Sequence, residues 1–207
     1  MPGEESDERL MRRFRGGDAS AFEALVRRHR RPVHAFLSRL LGDRGRAEDL
    51  LQETWLRVVA AAPRWEERAL FRTWLFTVAR NLAADEARRK AFRGSPVPLE
   101  APDPERRRSR VPEPVADDPP PDHLAEGALL RGRLEEAVAQ LPEEQREVFV
   151  LRELADVPFA EIAAITGAPL PTVKSRMRYA LDALRRRLGA MGLGPEGAAP
   201  GSGGGRP

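Results

Sequence analysis

The sequence predicts an all-α protein of two small helical domains joined by a flexible, proline-rich acidic linker. Three observations lead there. Apolar residues recur at i, i+3, i+4 and i+7 on both sides of the chain's middle. No stretch shows the two-residue alternation of a half-buried strand. Nine prolines fall between Pro96 and Pro121, and each removes an amide donor and pushes the preceding residue out of the helical region. The 207 residues allow one domain or two small ones.

In the first domain, taken as 8–93, Ser20-Ala-Phe-Glu23 reads as a capping box. Phe22, Leu25, Val26, His29, Val33, Phe36, Leu37 and Leu40 follow at helical spacing, and Pro32 is expected to kink or divide that helix. Gly42 suits its stop. Beyond Gly45, a second amphipathic stretch places Leu50, Leu51, Trp55, Leu56, Val58 and Val59 before Pro63 ends it. Trp74, Leu75, Val78 and Leu82 then form the stripe of a third helix running to Arg89.

Residues 94–122 are the expected linker. In the second domain, 123–188, Leu130, Leu134, Val138 and Leu141 mark one helix, and Val148, Leu151 and Leu154 another after Pro142. Phe159, Ile162, Ala163 and Ile165 form a short helix stopped at Gly167, and Ala168-Pro-Leu-Pro171 makes a turn. Thr172 then opens a longer helix with Val173, Met177, Ala180, Leu181 and Leu184 inward. The Gly/Ala/Pro-rich stretch 189–207 is expected to be disordered.

Charge narrows the function. The net of +3 is the difference between 35 basic and 32 acidic residues, and all the basic ones except Lys90 and Lys174 are arginine. Residues 1–93 are net +6, whereas 94–126 and 127–170 are each net −4. The segment 171–188 is again basic, with Lys174, Arg176, Arg178, Arg185, Arg186 and Arg187 against Asp182 alone. Zero cysteines exclude disulfides, thiolate metal sites and a Cys nucleophile. No apolar run reaches membrane-helix length and no signal-peptide core follows Met1, so the chain is expected to be soluble and cytoplasmic, without membrane insertion. His29, His34 and His123 are scattered and no Gly-rich phosphate loop is present. An enzyme is therefore not expected, nor a metal or other cofactor.

Three stretches could carry binding chemistry. Thr172, Lys174, Ser175, Arg176, Arg178 and Tyr179 face outward at the start of the basic helix. Short polar and cationic groups there are what the second helix of a helix-turn-helix presents to the major groove; an ordinary helical hairpin with a solvated face is the plainer reading. Glu48, Asp49, Gln52 and Glu53 lie within two helical turns. They make either a solvated face or a docking surface for a basic protein, and a divalent-ion site is disfavoured because no histidine or further acid sits at ligand spacing. Trp65, Phe71, Trp74 and Phe76 interleave with Arg64, Arg68, Arg72, Arg80 and Asn81, a mixture suited to unstacked bases and phosphates. Against that, Trp74 and Phe76 fit a core.

These same runs resemble an extracytoplasmic-function sigma factor of the bacterial sigma-70 family. They are Gly17-Asp18…Ala21-Phe22…Leu25, Asp49-Leu-Leu-Gln-Glu53 and Arg72-Thr-Trp-Leu-Phe-Thr-Val-Ala-Arg-Asn-Leu82. In the second half come Leu141-Pro-Glu-Glu-Gln-Arg-Glu-Val148, Leu151-Arg-Glu-Leu154, Glu161-Ile-Ala-Ala-Ile165 and Thr172-Val-Lys-Ser-Arg176. The likeness covers roughly 8–93 and 124–188, with the order and spacing kept. It implies a non-enzymatic initiation factor whose first domain is sigma region 2 and whose second is sigma region 4. Contacts to the β′ clamp helices of core RNA polymerase would fall on Glu48, Asp49, Gln52, Glu53 and Leu56. Melting and reading of the −10 element, with a flipped base near the loop, would fall on Arg64, Trp65, Arg68, Phe71, Arg72, Thr77, Arg80, Asn81 and Arg88. The −35 duplex would be read by Thr172, Lys174, Ser175, Arg176, Arg178 and Tyr179, while the same domain grips the β flap. An anti-sigma factor is a further implied partner. One departure is Pro171, where the family usually has Gly; proline fits the first helical turn but removes a possible amide-to-phosphate contact. The alternative from another class is a stand-alone helix-turn-helix regulator that binds DNA without polymerase.

Overall fold

The computed structural model describes residues 5–67, 69–93 and 121–193, and among them only helices and turns occur. The elements are α1 (Asp7–Arg15), α2 (Ala19–Leu41), α3 (Arg44–Ala61), α4 (Phe71–Arg93), α5 (Pro121–Ala139), α6 (Glu143–Glu153), α7 (Phe159–Thr166) and α8 (Leu170–Ala190). A single 3₁₀ turn, Ala62–Arg64, follows α3.

Helix α1 was not legible in the sequence. Ser6 caps it, Leu10 and Met11 are buried, and its two acids act at a distance. Asp7 meets His29 Nε2 at 2.7 Å and is also bonded by Arg28. Burial pushes the Asp7 carboxyl up, but the His29 hydrogen bond and the neighbouring positive charges outweigh it and hold the group below its ordinary value. Glu8 Oε1 accepts the Phe71 amide at 2.9 Å, so α1 supplies a carboxylate to the amino end of α4, where a helix favours negative charge.

The start of α2 corrects the expected capping box. Asp18 is the N-cap, and its side chain accepts the Ser20 amide at 3.0 Å. Pro32 lies inside α2 without dividing it, and Gly42 closes the helix at φ +64°, a conformation glycine adopts without a Cβ penalty. Asp43 caps α3 by accepting the Arg46 amide, which puts Gly45 inside the helix rather than before it. Phe36, Phe71 and Phe76 are fully buried, each contributing about 1.5–3 kcal/mol of apolar burial. Phe36 and Phe76 meet edge to face at 5.5 Å.

In the second half, α6, α7 and α8 pack together and α5 lies on α8. Gly167 ends α7 at φ +69°, and Pro171 sits in the first turn of α8. Four positions of the expected apolar stripes are instead exposed: Leu56 and Val59 on α3, and Leu130 and Leu134 on α5. Leu154 is also largely exposed just after α6. Helix α5 starts at Pro121, two residues inside the expected linker, and α8 continues to Ala190, inside the expected tail. The rest of the linker, 94–120, and of the tail, 194–207, lies outside the described residues.

The two halves do not stand apart. Helix α7 packs on α4, while α5 and α6 pack on α2.

Candidate polymerase and promoter surfaces

Helix α3 divides the polymerase candidates cleanly. Leu50, Leu51, Thr54, Trp55 and Val58 face the core. Asp49, Gln52 and Leu56 are exposed, with Leu56 67% so, and Val59 extends this face by one further turn. Glu48 faces Arg30 at 3.2 Å and His34 at 3.4 Å, and Glu53 accepts from Arg57 at 2.8 Å. The outer face therefore combines carboxylates with an uncovered leucine and valine, a mixture that buries poorly in water and well against a basic partner with apolar spots. Leu56 and Val59 carry no signal in a helical-period reading, because both sit where the stripe would have placed core.

At the carboxyl end of α3, the 3₁₀ turn and the start of α4 border an open cleft of ≈ 550 Å³ lined by Ala60, Ala61, Arg64, Trp65, Glu66, Ala69 and Trp74. That volume lies within the roughly 300–1,000 Å³ of small-molecule sites. Trp65 is its wall, not a projecting platform: the residue is 6% exposed, and its carbonyl accepts from Arg15 Nη1 at 3.2 Å. The expectation of a loop tryptophan open to a base is corrected to that extent. Phe71, also expected at the −10 strand, is buried between His29 and Trp74 with ring centroids at 5.7 and 5.9 Å. Arg64 is exposed and Trp74 half-buried along this lining. Arg68 lies outside the described residues.

Helix α4 sorts the remaining −10 candidates by face. Thr77, Asn81 and Arg88 follow Trp74 at spacings of three, four and seven, on one strip of the helix. Asn81 and Arg88 are exposed, Arg88 in contact with Asp85; Thr77 is half-buried and donates to the Thr73 carbonyl. Arg72 and Arg80 lie on a different strip, and the second half of the chain covers them. Arg72 Nη2 and Nε reach Glu161 Oε1 and Oε2 at 2.7 and 3.3 Å, and Thr73 Oγ1 donates to the same carboxylate at 2.8 Å. The Glu161 hydrogen bond raises the Arg72 pKa further above its ordinary value against the effect of burial. Arg80 binds Glu147 through Nε and Nη2 at 2.5 and 3.4 Å. Glu147 is 5% exposed. Exposed pairs contribute roughly 0–1 kcal/mol, but stranding a buried carboxylate by removing its guanidinium partner costs about 3–5 kcal/mol.

Glu147, Glu161 and Thr73 were not singled out from the sequence. A signal was present for the first: Glu147-Val-Phe-Val-Leu151 are all buried, and a helix apolar all round has a second neighbour to face.

The helix-turn-helix is formed by α7 and α8. On α8, Val173, Met177, Ala180 and Leu184 are buried. Lys174, Arg178 and Tyr179 are exposed, and Thr172, Ser175 and Arg176 half-buried. Arg178 stacks over Tyr179 at 5.1 Å from the ring centre. Arg176 Nη2 is held by Glu144 of α6 at 2.6 Å. Among the described residues no three His, Cys, Asp or Glu side chains gather as a metal site, and no helix is long and apolar enough to cross a membrane.

Comparison with known proteins agrees with this layout. Residues 25–93 match Sigma-70 region 2 and residues 131–184 match Sigma-70, region 4. The ECF RNA polymerase sigma factor SigC of Mycobacterium tuberculosis is 34% identical over 168 residues, covering 81% of this chain and 83% of that protein. RNA polymerase sigma factor CarQ of Myxococcus xanthus is 34% identical over 184 residues, covering 88% and 98%. The sigma factor RpoE of Bartonella quintana, solved with the anti-sigma factor NepR, superposes with a TM-score of 0.58 at 26% identity, over 76% of this chain and 89% of that one. CnrH, solved with the cytosolic domain of CnrY, shares the fold with a TM-score of 0.65 at 22% identity, over 90% and 99%. With both matched regions in order and a helix-turn-helix in the second, the chain belongs to the sigma-70 family, in its extracytoplasmic-function group of RNA polymerase sigma factors.

Proposed function

We propose that this chain binds core RNA polymerase and directs it to promoters, with the polymerase supplying the chemistry and the chain supplying recognition. The observation that carries the reading is the pairing, on one chain, of a basic helix-turn-helix face at α8 with an aromatic, arginine-lined cleft at α4. The first suits duplex DNA and the second an unstacked base. A stand-alone regulator would need the former and have no use for the latter.

Region 2 is taken as 8–93 and region 4 as 123–188. Glu48, Asp49, Gln52, Glu53 and Leu56 form the contact to the β′ clamp helices. Arg64, Trp65 and Trp74 receive a −10 base, with Thr77, Asn81 and Arg88 along the strand and Arg72 and Arg80 joining when uncovered. Lys174, Ser175, Arg176, Arg178, Tyr179 and Thr172 read the −35 duplex, and the same domain meets the β flap. These roles place the chain in the cytoplasm. RpoE and CnrH were solved with protein partners, which supports an anti-sigma factor as a partner of this chain too.

Run-off transcription with purified core polymerase across a genomic promoter library tests the reading. Promoter-specific transcripts that require the chain support it; transcripts that do not depend on it, alongside sequence-specific binding by the chain alone, would favour the stand-alone regulator.

A further inference from the structure

One face of α1 runs along the segment that leads into α4. Glu8, Arg12 and Arg15 follow one another at spacings of four and three, so they lie on a single strip of the helix. Glu8 Oε1 accepts the Phe71 amide at 2.9 Å, Arg12 pairs with Glu67, and Arg15 Nη1 donates to the Trp65 carbonyl at 3.2 Å. The order is reversed along the chain: the start of α1 meets the end of the segment, and its last turn meets the beginning. At Phe71 and Trp65 the group held is backbone, so the hold is independent of the side chains the segment carries there.

The segment needs a hold from outside. Glu66, Glu67, Arg68, Ala69 and Leu70 stand between Trp65 and Phe71, with no glycine or proline to fix a turn. Neither Ala69 nor Leu70 has a side-chain acceptor for the orphan amides at the start of α4. The chain from 65 to 71 can span about 20 Å when extended, whereas the strip from Glu8 to Arg15 rises about 10 Å. Local chain thus has slack that α1 takes up. Helix α1 is itself fixed: Leu10 and Met11 are buried, Asp7 accepts from Arg28 and meets His29 of α2, and the His29 ring lies against Phe71.

We propose that Glu8, Arg12 and Arg15 are positioning residues for −10 recognition: their strip of α1 is a splint that fixes the segment 65–71, and with it the cleft lined by Trp65 and Trp74, before DNA arrives. This rests on the −10 role assigned above to that cleft. The lining includes none of the three, so each acts through the segment. A loop held in its bound course binds without the ordering cost that a free loop meets, and it keeps the discriminating groups at one distance from the base.

The test uses holoenzyme assembled from core polymerase and the full chain, on a pre-melted promoter taken from the run-off transcripts. Its readout is the ratio of affinities for the cognate −10 strand and for each single-base substitution. A smaller active fraction lowers both apparent affinities alike, so the ratio separates positioning from stability. Glu8→Leu and Arg15→Leu should each lower it about fivefold at one or two −10 positions, with −35 ratios at wild-type values. Glu8→Gln, whose carboxamide oxygen still accepts the Phe71 amide, should keep wild-type discrimination. Arg9→Leu is the control for lost charge, since Arg9 lies off the strip and pairs with Glu5 at 2.9 Å. Wild-type −10 ratios in both leucine variants overturn the proposal, as does Glu8→Gln no better than Glu8→Leu, or an equal loss in Arg9→Leu. Should Glu8→Leu fail to fold, Arg15→Leu, at an exposed position in the last turn of α1, decides alone by the same criterion.

A second readout needs no DNA. Hydrogen exchange at the Phe71 amide should quicken about tenfold in Glu8→Leu and stay at the wild-type rate in Glu8→Gln; an unchanged rate in Glu8→Leu overturns the splint. Failure of the underlying reading shows elsewhere: Arg64→Ala and Asn81→Ala would then leave −10 discrimination at wild type, whatever the α1 variants do. Wild-type ratios in the α1 variants beside clear losses in Arg64→Ala and Asn81→Ala sink the splint alone.

Discussion

Arg176 of α8 and Glu144 of α6 meet at 2.6 Å across the helix-turn-helix, the guanidinium half-buried and the carboxylate side chain 70% exposed. With Arg176 in the proposed base-reading role, its aim would be set by an anion that water or DNA can displace. Arg176→Ala should cost about 1–3 kcal/mol of −35 affinity if the group is bidentate to a guanine, and should relax preference at one base pair. Glu144→Gln should keep overall affinity near wild type yet loosen discrimination at that same pair. Gel shifts against every single −35 substitution separate the two, and unchanged discrimination in Glu144→Gln would remove the aiming role.

Charge reversal at Asp49 and Glu53 should weaken core-polymerase binding without unfolding the chain. Asp49 is exposed and Glu53 bonds its helical neighbour Arg57, so folding should change by no more than about half a kcal/mol. Titration of labelled core against each variant, beside a thermal melt, gives the answer. Wild-type affinity in the double reversal would place the docking surface elsewhere.

Trp65 and Asn81 should part company. Trp65 is core-like, and its loss to alanine should cost about 3–5 kcal/mol of stability, visible as a lower melting temperature before any DNA is added. Asn81 is exposed, so Asn81→Ala should melt like wild type while permanganate reactivity of −10 thymines falls. Normal opening by Asn81→Ala, on both duplex and pre-melted promoters, would take strand capture off this strip.

The Asp18 cap should show itself in acid. Hydrogen bonds from Ser20 and then Arg13 pull its pKa from 3.8 to about 2. A depressed carboxyl stabilises the fold above its unfolded pKa and loses that contribution as pH falls through the folded one. Asparagine caps helices comparably, so wild type against Asp18→Asn isolates the charge. The gap in melting temperature should be steady above about pH 5 and close between about pH 4 and pH 2. A gap that persists unchanged at pH 2 would mean the charge is not its source.

Helical period, stop glycines and the polarity of α8 made both halves legible from the chain alone. What stayed hidden has a common cause. Helix α1 is short, and its packing depends on acids that serve other helices, Asp7 at His29 and Glu8 at the Phe71 amide. Pro32 signals a break that burial of Val33, Phe36 and Leu37 overrides. Phe71 and Trp65 look like base platforms when arginines flank them, and only tertiary packing shows them covered. Glu147 and Glu161 read as ordinary helix acids, because their partners lie 67 and 89 residues away.

Helix α2 runs unbroken for 23 residues, about 35 Å, and packs against α1, α3 and α4 of the first half and α5 and α6 of the second. Melting is therefore a property of the pair of domains while they share that rod. Calorimetry on the chain should show one cooperative peak, with van't Hoff and calorimetric enthalpies equal. Substitutions that break the contacts of α5 and α6 with α2 and of α7 with α4 would uncouple the halves, and the heat absorption should then split into two.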